Sequence, residues 1–399
     1  MNVLMVTNVI APDKLGGLER YVRELSAALV RAGQNVTVIS KRTADTQPTH
    51  EIASDGVEII RISPPNKRNP FFALAYPVLI SLAVRKAIKA VRERGPIVLH
   101  GHFPVPMIGP SFGQVPYIYT CHAPVYKEIL DERQGSYSLP RPVQKLAVWG
   151  LKTIERQVLK RAKTIITLSS FIRNEVAVLD RAAGGRVQLL PGGLDTEKFA
   201  PLETSRSGAA AGPILFSARR LVKRTGAEEL VAAMPEILRS LPDAQLMLAG
   251  DGTRMEHVAK AIVNNGLSEK VKMLGRIPEG DLIAWYQNCD IAITPTQALE
   301  GFGLSTVEAL ACGTPALVTP VGANAEVVGT LSPLLVAGGK ASGDIAKAVI
   351  ALWNERDAYE RIQATARAHV EPEMSWSNVA EMHVNLYSSL AALPGVTRR

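Results

Sequence analysis

A chain of 399 residues is longer than one hydrophobic core usually supports, so two domains are expected. With 47% hydrophobic and 21% charged residues it is a globular protein, and a disordered chain is excluded. The formal net charge of +8 suits nucleic acid, anionic lipid or phosphorylated small molecules, or simply a soluble surface.

VLMVT (3–7) reads as the first strand. A loop with Pro12, Gly16 and Gly17 follows. LERYVRELSAALVRAG (18–33) then carries Leu18, Val22, Leu25 and Leu29 at helical spacing, with Gly33 as its stop. NVTVIS (35–40) is the next strand, and this strand–helix–strand rhythm implies a parallel sheet covered by helices on both faces. The rhythm continues through VEIIRI (57–62), a helix over 78–93, IVLHGH (97–102), YIYTCH (117–122), a long helix over 142–162, TIITLS (164–169) and VQLLP (187–191). FFALAYPVLISLAV (71–84) is the longest apolar stretch; it is too short to span a bilayer, and Pro77 interrupts it. Flanked by Lys67 and Arg68 before and Arg85 and Lys86 after, it reads either as a buried or half-buried helix or as one that dips into a membrane interface.

Between Thr196 and Gly212 the pattern lapses into small and polar residues, which marks a linker. Alternation restarts with PILFSA (213–218), AQLMLAG (244–250), KVKMLG (270–275), IAITPT (291–296) and PALVTP (315–320), and SWSNVAEMHVNLYSSLAAL (375–393) reads as a last helix. The fold class is therefore α/β: two tandem doubly wound domains with the active cleft between them. In such sheets ligands bind beyond the carboxyl ends of the strands. The N-terminal MNVLMVTNVIAPDK has no basic leader and too short an apolar run for a signal peptide. Cys121, Cys289 and Cys312 are widely separated and form no zinc-ligand or disulfide spacing. Both observations point to a cytoplasmic location.

The segment EGFGLSTVEALACGTP (300–315) places two carboxylates, Glu300 and Glu308, in apolar surroundings. Gly301 and Gly303 disfavour helix, so Glu300 belongs to the loop at the sheet's carboxyl edge. LSTVEALACG then runs as helix until Gly313, with Glu308 about one turn in. Amides from Gly301 to Ser305 precede the helical ladder and form a nest for anions and hydroxyls. That suits a sugar joined to a phosphate; for either glutamate alone, a charge on the helix dipole or a solvated helix residue explains as much.

EGFGLSTVE resembles the E-x7-E signature of retaining GT-B glycosyltransferases, specifically the nucleotide-sugar-dependent family 4. LGGLERYVRELSAALVRAGQNVTVIS, TIITLSSFIRNEV, PGGLDTEKF, LAGDGT, LGRIPEGDLIAWYQNCDIAITPT and ALACGTPALVTPVGANAEVV resemble successive family blocks in order, so the resemblance spans nearly the whole chain. It implies an acceptor-binding domain over 1–195, a linker over 196–212, a donor-binding domain over 213–375, and a final helix over 376–399 that crosses back to the first domain. It further implies that Glu308 holds the ribose hydroxyls and Glu300 contacts the donor sugar. The backbone of Gly301, Phe302, Gly303 and Leu304 would lie along the sugar and diphosphate, with Ser305 completing the donor nest. The family's diphosphate clamp, R-L-x-x-x-K-G, corresponds to RLVKRTG here: Arg220 fits its arginine, while Thr225 stands where the lysine belongs. Arg224 is the expected substitute, with Lys223 beside it, because a leaving diphosphate needs cationic stabilisation and no DxD metal motif occurs. Arg276 falls where the family cups the nucleobase. Gly16 and Gly17 fall in the loop that carries amides to the diphosphate or acceptor; LGGLE is not the G-x-G-x-x-G fingerprint. His122 matches a histidine near the reacting face of the donor sugar, which sets it above His100 and His102.

The implied activity is transfer of a hexosyl unit from a nucleotide-diphosphate sugar, UDP-linked or else GDP-linked, to an acceptor hydroxyl. It would be retaining and metal-independent, with no cofactor beyond the donor. Glu300, His122 and Arg220 are the expected catalytic residues. The expected partners are a nucleotide-sugar donor and a small-molecule, glycan or lipid-linked acceptor, with peripheral membrane contact open and nucleic acid not among them. A nucleotide-sugar epimerase on the same fold, or a lipid glycosyltransferase at a membrane surface, is the alternative.

Overall fold

The structure, a computed structural model, describes residues 1–14, 16–64, 72–132, 141–202 and 212–391. Lys67, Arg68, the middle of the expected linker and the end of the chain beyond residue 391 lie outside the described residues. The chain divides into two compact units: residues 1–126, 139–193 and the chain from Trp376 form the first, and residues 127–138 and 194–375 the second.

In the first unit, β1 (Asn2–Val6), α1 (Gly17–Arg31), β2 (Asn35–Lys41), β3 (His50–Ile52) and β4 (Glu58–Ile62) lead into α2 (Phe72–Arg92) and β5 (Ile97–Gly101). There follow α3 (Ile108–Ser111), β6 (Tyr117–Cys121), α4 (Val125–Glu132), whose residues from Lys127 on fall in the second unit, α5 (Arg141–Arg161), β7 (Thr164–Thr167), α6 (Ser170–Leu179) and β8 (Val187–Leu189). The sheet has the order β3-β4-β2-β1-β5-β6-β7-β8. All pairings are parallel except β3 on β4. Strands β1, β5 and β6 are buried along their whole length, because helices cover both faces.

Three local features depart from the sequence reading. The edge strand β3 was not expected, since three residues carry no readable period; Arg61 of β4 fastens it through Glu51 at 2.8 Å. The short helix α4 was also not expected. Finally, α2 begins at Phe72 and passes through Pro77, where the sequence suggested a helix from residue 78. Tyr76, Ile80, Val84, Ala87 and Val91 keep one buried stripe on the sheet side, and this packing carries the helix across the backbone bond that proline removes.

The second unit repeats the rhythm with β9 (Ile214–Ala218), α7 (Ala227–Ser240), β10 (Gln245–Ala249), α8 (Met255–Asn264), β11 (Val271–Gly275), α9 (Glu279–Asn288) and β12 (Ile291–Thr294). It closes with α10 (Leu304–Ala311), β13 (Ala316–Val318), α11 (Asn324–Val328), α12 (Ser342–Asn354) and α13 (Arg356–Met374). Its sheet is wholly parallel, in the order β11-β10-β9-β12-β13. The final helix, α14 (Trp376–Ala391), belongs to the first unit, where it packs on α1 and β5. Each unit is thus a Rossmann-like doubly wound domain. No described helix is long and apolar enough to cross a membrane.

Candidate functional site

In the second unit the chain runs outward from β9 through β10 to β11, then returns to the other side of β9 to make β12 and β13. The gap between the carboxyl ends of β9 and β12 is therefore a topological switch point, where loops diverge and leave room for a ligand. Arg219 and Arg220 leave the end of β9; the loop carrying Glu300 leaves the end of β12.

That loop ends at Gly303, whose φ of +88° lies in the left-handed region and lets α10 start at Leu304. The amides of Thr306 and Val307 donate to Gly303 O at 3.0 and 3.1 Å, so the amides from Gly303 to Ser305 lie ahead of the helical ladder. Leu299, just before Glu300, has φ of +53°, the one non-glycine in that region among the described residues. Such a conformation persists only where neighbours enforce it. Here Arg224 Nη1 donates to the Leu299 carbonyl at 3.0 Å, and the amide of Gln297 donates to Arg224 O at 2.7 Å. On the other side Ala323 N donates to Glu300 O at 3.0 Å, and a Cβ on Gly322 would stand 2.4 Å from that oxygen.

The Glu300 carboxylate accepts from Arg219 Nη2 and, at 3.1 Å, from Thr296 Oγ1. Arg219 Nη1 also donates to Ser305 Oγ at 3.0 Å, so one guanidinium ties the loop to the helix start. Burial alone would raise the Glu300 carboxyl; the adjacent Arg219 charge and hydrogen bond, with help from Arg224 and Thr296, hold it below the usual range. Glu308 is buried one turn into α10 and accepts from the Tyr286 hydroxyl at 3.3 Å. Burial and the Glu308 charge push the Tyr286 phenol well up, so it stays a donor. The solvated-helix alternative for Glu308 is thereby removed.

The basic turn after β9 is built around Thr225. Its buried hydroxyl lies 2.6 Å from Arg220 O and 2.7 Å from Val222 O, closing the turn where the family pattern has a lysine. Arg224 faces inward, and burial, with the neighbouring Arg220 charge, lowers its pKa. Arg220 and Lys223 are exposed, as is Arg276 at the carboxyl end of β11. The structure thus gathers Glu300, Gly301, Phe302, Gly303, Leu304, Ser305, Glu308, Arg220 and Arg224 around one loop and helix start. Arg219 is out of register with R-L-x-x-x-K-G by one residue, so nothing in the pattern singles it out.

Gly16, Gly17 and His122 lie in the first unit. Gly16 precedes α1, and a Cβ there would stand 2.3 Å from a Glu19 carboxylate oxygen, so glycine allows that carboxylate to fold back and meet Lys14 at 2.7 Å. His122 follows β6, edge-on to the Tyr21 ring at 4.8 Å, with its Nε2 3.3 Å from His102 Nδ1. His102 in turn lies against His100, with ring centroids 4.1 Å apart and the planes tilted by 41°. His100 bonds Tyr387 and Thr120, both at 2.7 Å, and His383 bonds Tyr21 at 3.3 Å and Val379 O at 2.7 Å. The family resemblance singles out His122 alone; in the structure it is half-buried beside three buried histidines, His100, His102 and His383. His100 and His102 at period two offered a signal for part of this cluster, whereas His383 offered none.

Burial drives His122 down to about 3 and His383 to about 4. The unfolded chain takes up these protons below about pH 6.5, while the folded chain refuses them until its own lower values. Stability is therefore complete above about pH 6.5 and falls as pH drops towards 4, by about 1.4 kcal/mol per pH unit for each histidine that titrates so. Melting temperatures measured from pH 7 to pH 5 should fall, and His383→Gln should flatten the fall. A profile that the substitution leaves unchanged would remove His383 from this account.

Residues 15–198 match the family model described as Glycosyltransferase Family 4, and residues 205–369 match Glycosyl transferases group 1. Glycogen synthase of Mycobacterium tuberculosis (strain CDC 1551 / Oshkosh) is 26% identical over 417 residues, spanning 99% of this chain and 96% of its own. Among solved structures, sucrose-phosphate synthase from Thermosynechococcus elongatus is similar with a TM-score of 0.80 and 21% identity, over 98% of this chain and 99% of that one. Anabaena HepE, solved with UDP and glucose, is similar with a TM-score of 0.75 and 17% identity, over 98% and 100%. With a glycosyltransferase model matching each half and both structural neighbours matching its fold end to end, the chain belongs to the GT-B glycosyltransferases.

Proposed function

We propose that this glycosyltransferase moves a hexosyl unit from a nucleoside-diphosphate sugar to an acceptor hydroxyl with retention of configuration and without a metal. A uridine donor is favoured and a guanosine donor is the second choice; the UDP held by HepE supports the first. The observation that carries the reading is the arrangement of two carboxylates at opposite ends of one amide nest beside the switch point. Glu308, buried one turn into α10, accepts from the ribose hydroxyls; Glu300, on the loop, accepts from the sugar. The amides from Gly301 to Ser305 run along the sugar and diphosphate, and Arg276 stands by the base.

In this reading the glycosidic bond breaks as negative charge gathers on the departing diphosphate, which Arg220 and the nest amides stabilise. The acceptor hydroxyl attacks from the same face through an oxocarbenium-like transition state, and the leaving phosphate takes its proton. Glu300 and Glu308 do not act as the acid and base pair of a glycosidase, since one of them holds ribose. The first unit would bind the acceptor, through His122 and the loop of Gly16 and Gly17. A cytoplasmic location is proposed from the three cysteines, which are buried and widely separated along the chain.

Glu308→Ala should weaken nucleoside-diphosphate binding by about 1–3 kcal/mol for the lost hydroxyl hydrogen bonds. Titration calorimetry with UDP and GDP checks this; unchanged affinity in a folded variant would sink the ribose assignment.

A further inference from the structure

Two helices on one face of the first sheet share an unusual surface pattern. On α2 the solvent side carries Val78, 59% exposed, and Leu82, 55% exposed, and continues at helical spacing with the exposed cations Arg85, Lys89 and Arg92. On α5 it carries Leu146 and Trp149, each 66% exposed, and continues with the exposed cations Arg156 and Lys160. The opposite sides of both helices enter the same hydrophobic core, through Ile80 and Val84 from α2 and Val158 and Leu159 from α5. The exposed apolar residues are therefore additional to what the fold uses.

The two patterns are aligned. Both helices return the chain from the carboxyl edge of a parallel sheet to its amino edge, so they run in the same direction. Their apolar ends consequently stand at the same edge, and their basic ends at the other. Between them, α3 packs on both. It approaches α2 so closely that a Cβ on Gly109 would stand 2.4 Å from Ser81 Cβ. At its end Phe112 is 70% exposed, so α3 too leaves a large apolar group in water. There is no acidic residue in α2, and the one in α5, Glu155, is fully buried.

Charge and apolarity together narrow the occupant. Nucleic acid would use the cations but not exposed valine, leucine and tryptophan. A second copy of this chain would cover the apolar groups but would bring two basic surfaces together. An anionic bilayer satisfies both: side chains reach the acyl boundary while cations meet the headgroups. We propose that this face of α2, α3 and α5 docks on the surface of an anionic lipid bilayer, lying on it and not crossing it. The proposal stands on this surface alone and is independent of how the donor is held.

The test is sedimentation of the full chain with phosphatidylcholine vesicles, with and without phosphatidylglycerol. Binding should be at least about 10-fold stronger on the anionic vesicles, should weaken at high salt, and should shift the tryptophan emission to the blue. The triple variant Val78→Ser, Leu82→Ser, Trp149→Ser should lose at least about 10-fold in vesicle affinity at an unchanged melting temperature. Binding that ignores lipid charge, no binding, or a folded triple variant that binds like the parent would overturn the proposal. So would a dimer in sedimentation velocity that the triple variant abolishes while vesicles capture neither protein.

Discussion

Arg219→Ala should destabilise the second unit by about 3 kcal/mol, the largest effect expected of any single truncation around the Glu300 loop. The side chains of Arg219 and Glu300 are 12% and 14% exposed, so the substitution strands a carboxylate with little access to water. Thr296 Oγ1 remains, but a neutral hydroxyl offsets only part of a lost guanidinium. The loss should be strongly non-additive with Glu300→Gln, because the double variant leaves neither charge behind. Urea denaturation of the two single variants and the double variant closes the cycle. Additive losses would mean that the pair contributes nothing beyond its separate groups. Because Arg219 also donates to Ser305, the same substitution should slow transfer by displacing both the loop carboxylate and the helix start; Arg219→Lys should restore stability better than turnover, since an ammonium cannot span two acceptors in a fixed fork.

Arg220→Ala should lower kcat by about 100-fold or more, equivalent to about 2.7 kcal/mol of transition-state charge stabilisation, with little change in stability. The residue is exposed at the mouth of the switch point, where its removal leaves the packing intact. Arg224→Ala makes the informative contrast. One of its arms holds the Leu299 carbonyl, so its loss should relax a strained backbone and reduce stability and turnover together. Single-turnover rates beside melting curves separate the two. Near-normal turnover in Arg220→Ala would transfer the charge-stabilising role to another cation.

Much of the second unit was legible in advance. The apolar runs that became β9 to β13 are short and bounded by glycine or proline, and burial on both faces requires that pattern in a parallel sheet. Gly303 and Gly313 bracketed α10 because left-handed backbone is open to glycine at little cost, and both have positive φ. Glu308 could thus be placed one turn into a helix from local spacing alone.

Other features needed the folded chain. Adjacent arginines at 219 and 220 are equivalent in a sequence. Which one turns towards Glu300 depends on where β9 ends against its neighbours, including Gly250, where a Cβ would stand 1.9 Å from Arg219 O. The helix through Pro77 depended on a stripe of side chains finding the sheet, a gain that local propensity cannot register. The histidine cluster joins residues at the ends of β5 and β6 to α14, with His100 and Tyr387 separated by 287 positions. The sequence by itself determined the two-domain α/β plan, the start of α10 and the pairing of a loop carboxylate with a helix carboxylate, because these follow from periods and turns a few residues long. The tertiary structure alone decided which guanidinium serves Glu300, that Glu308 is buried against Tyr286, and which apolar groups α2 and α5 leave in water. Burial, charge pairing and exposure are set by neighbours that arrive from distant parts of the chain.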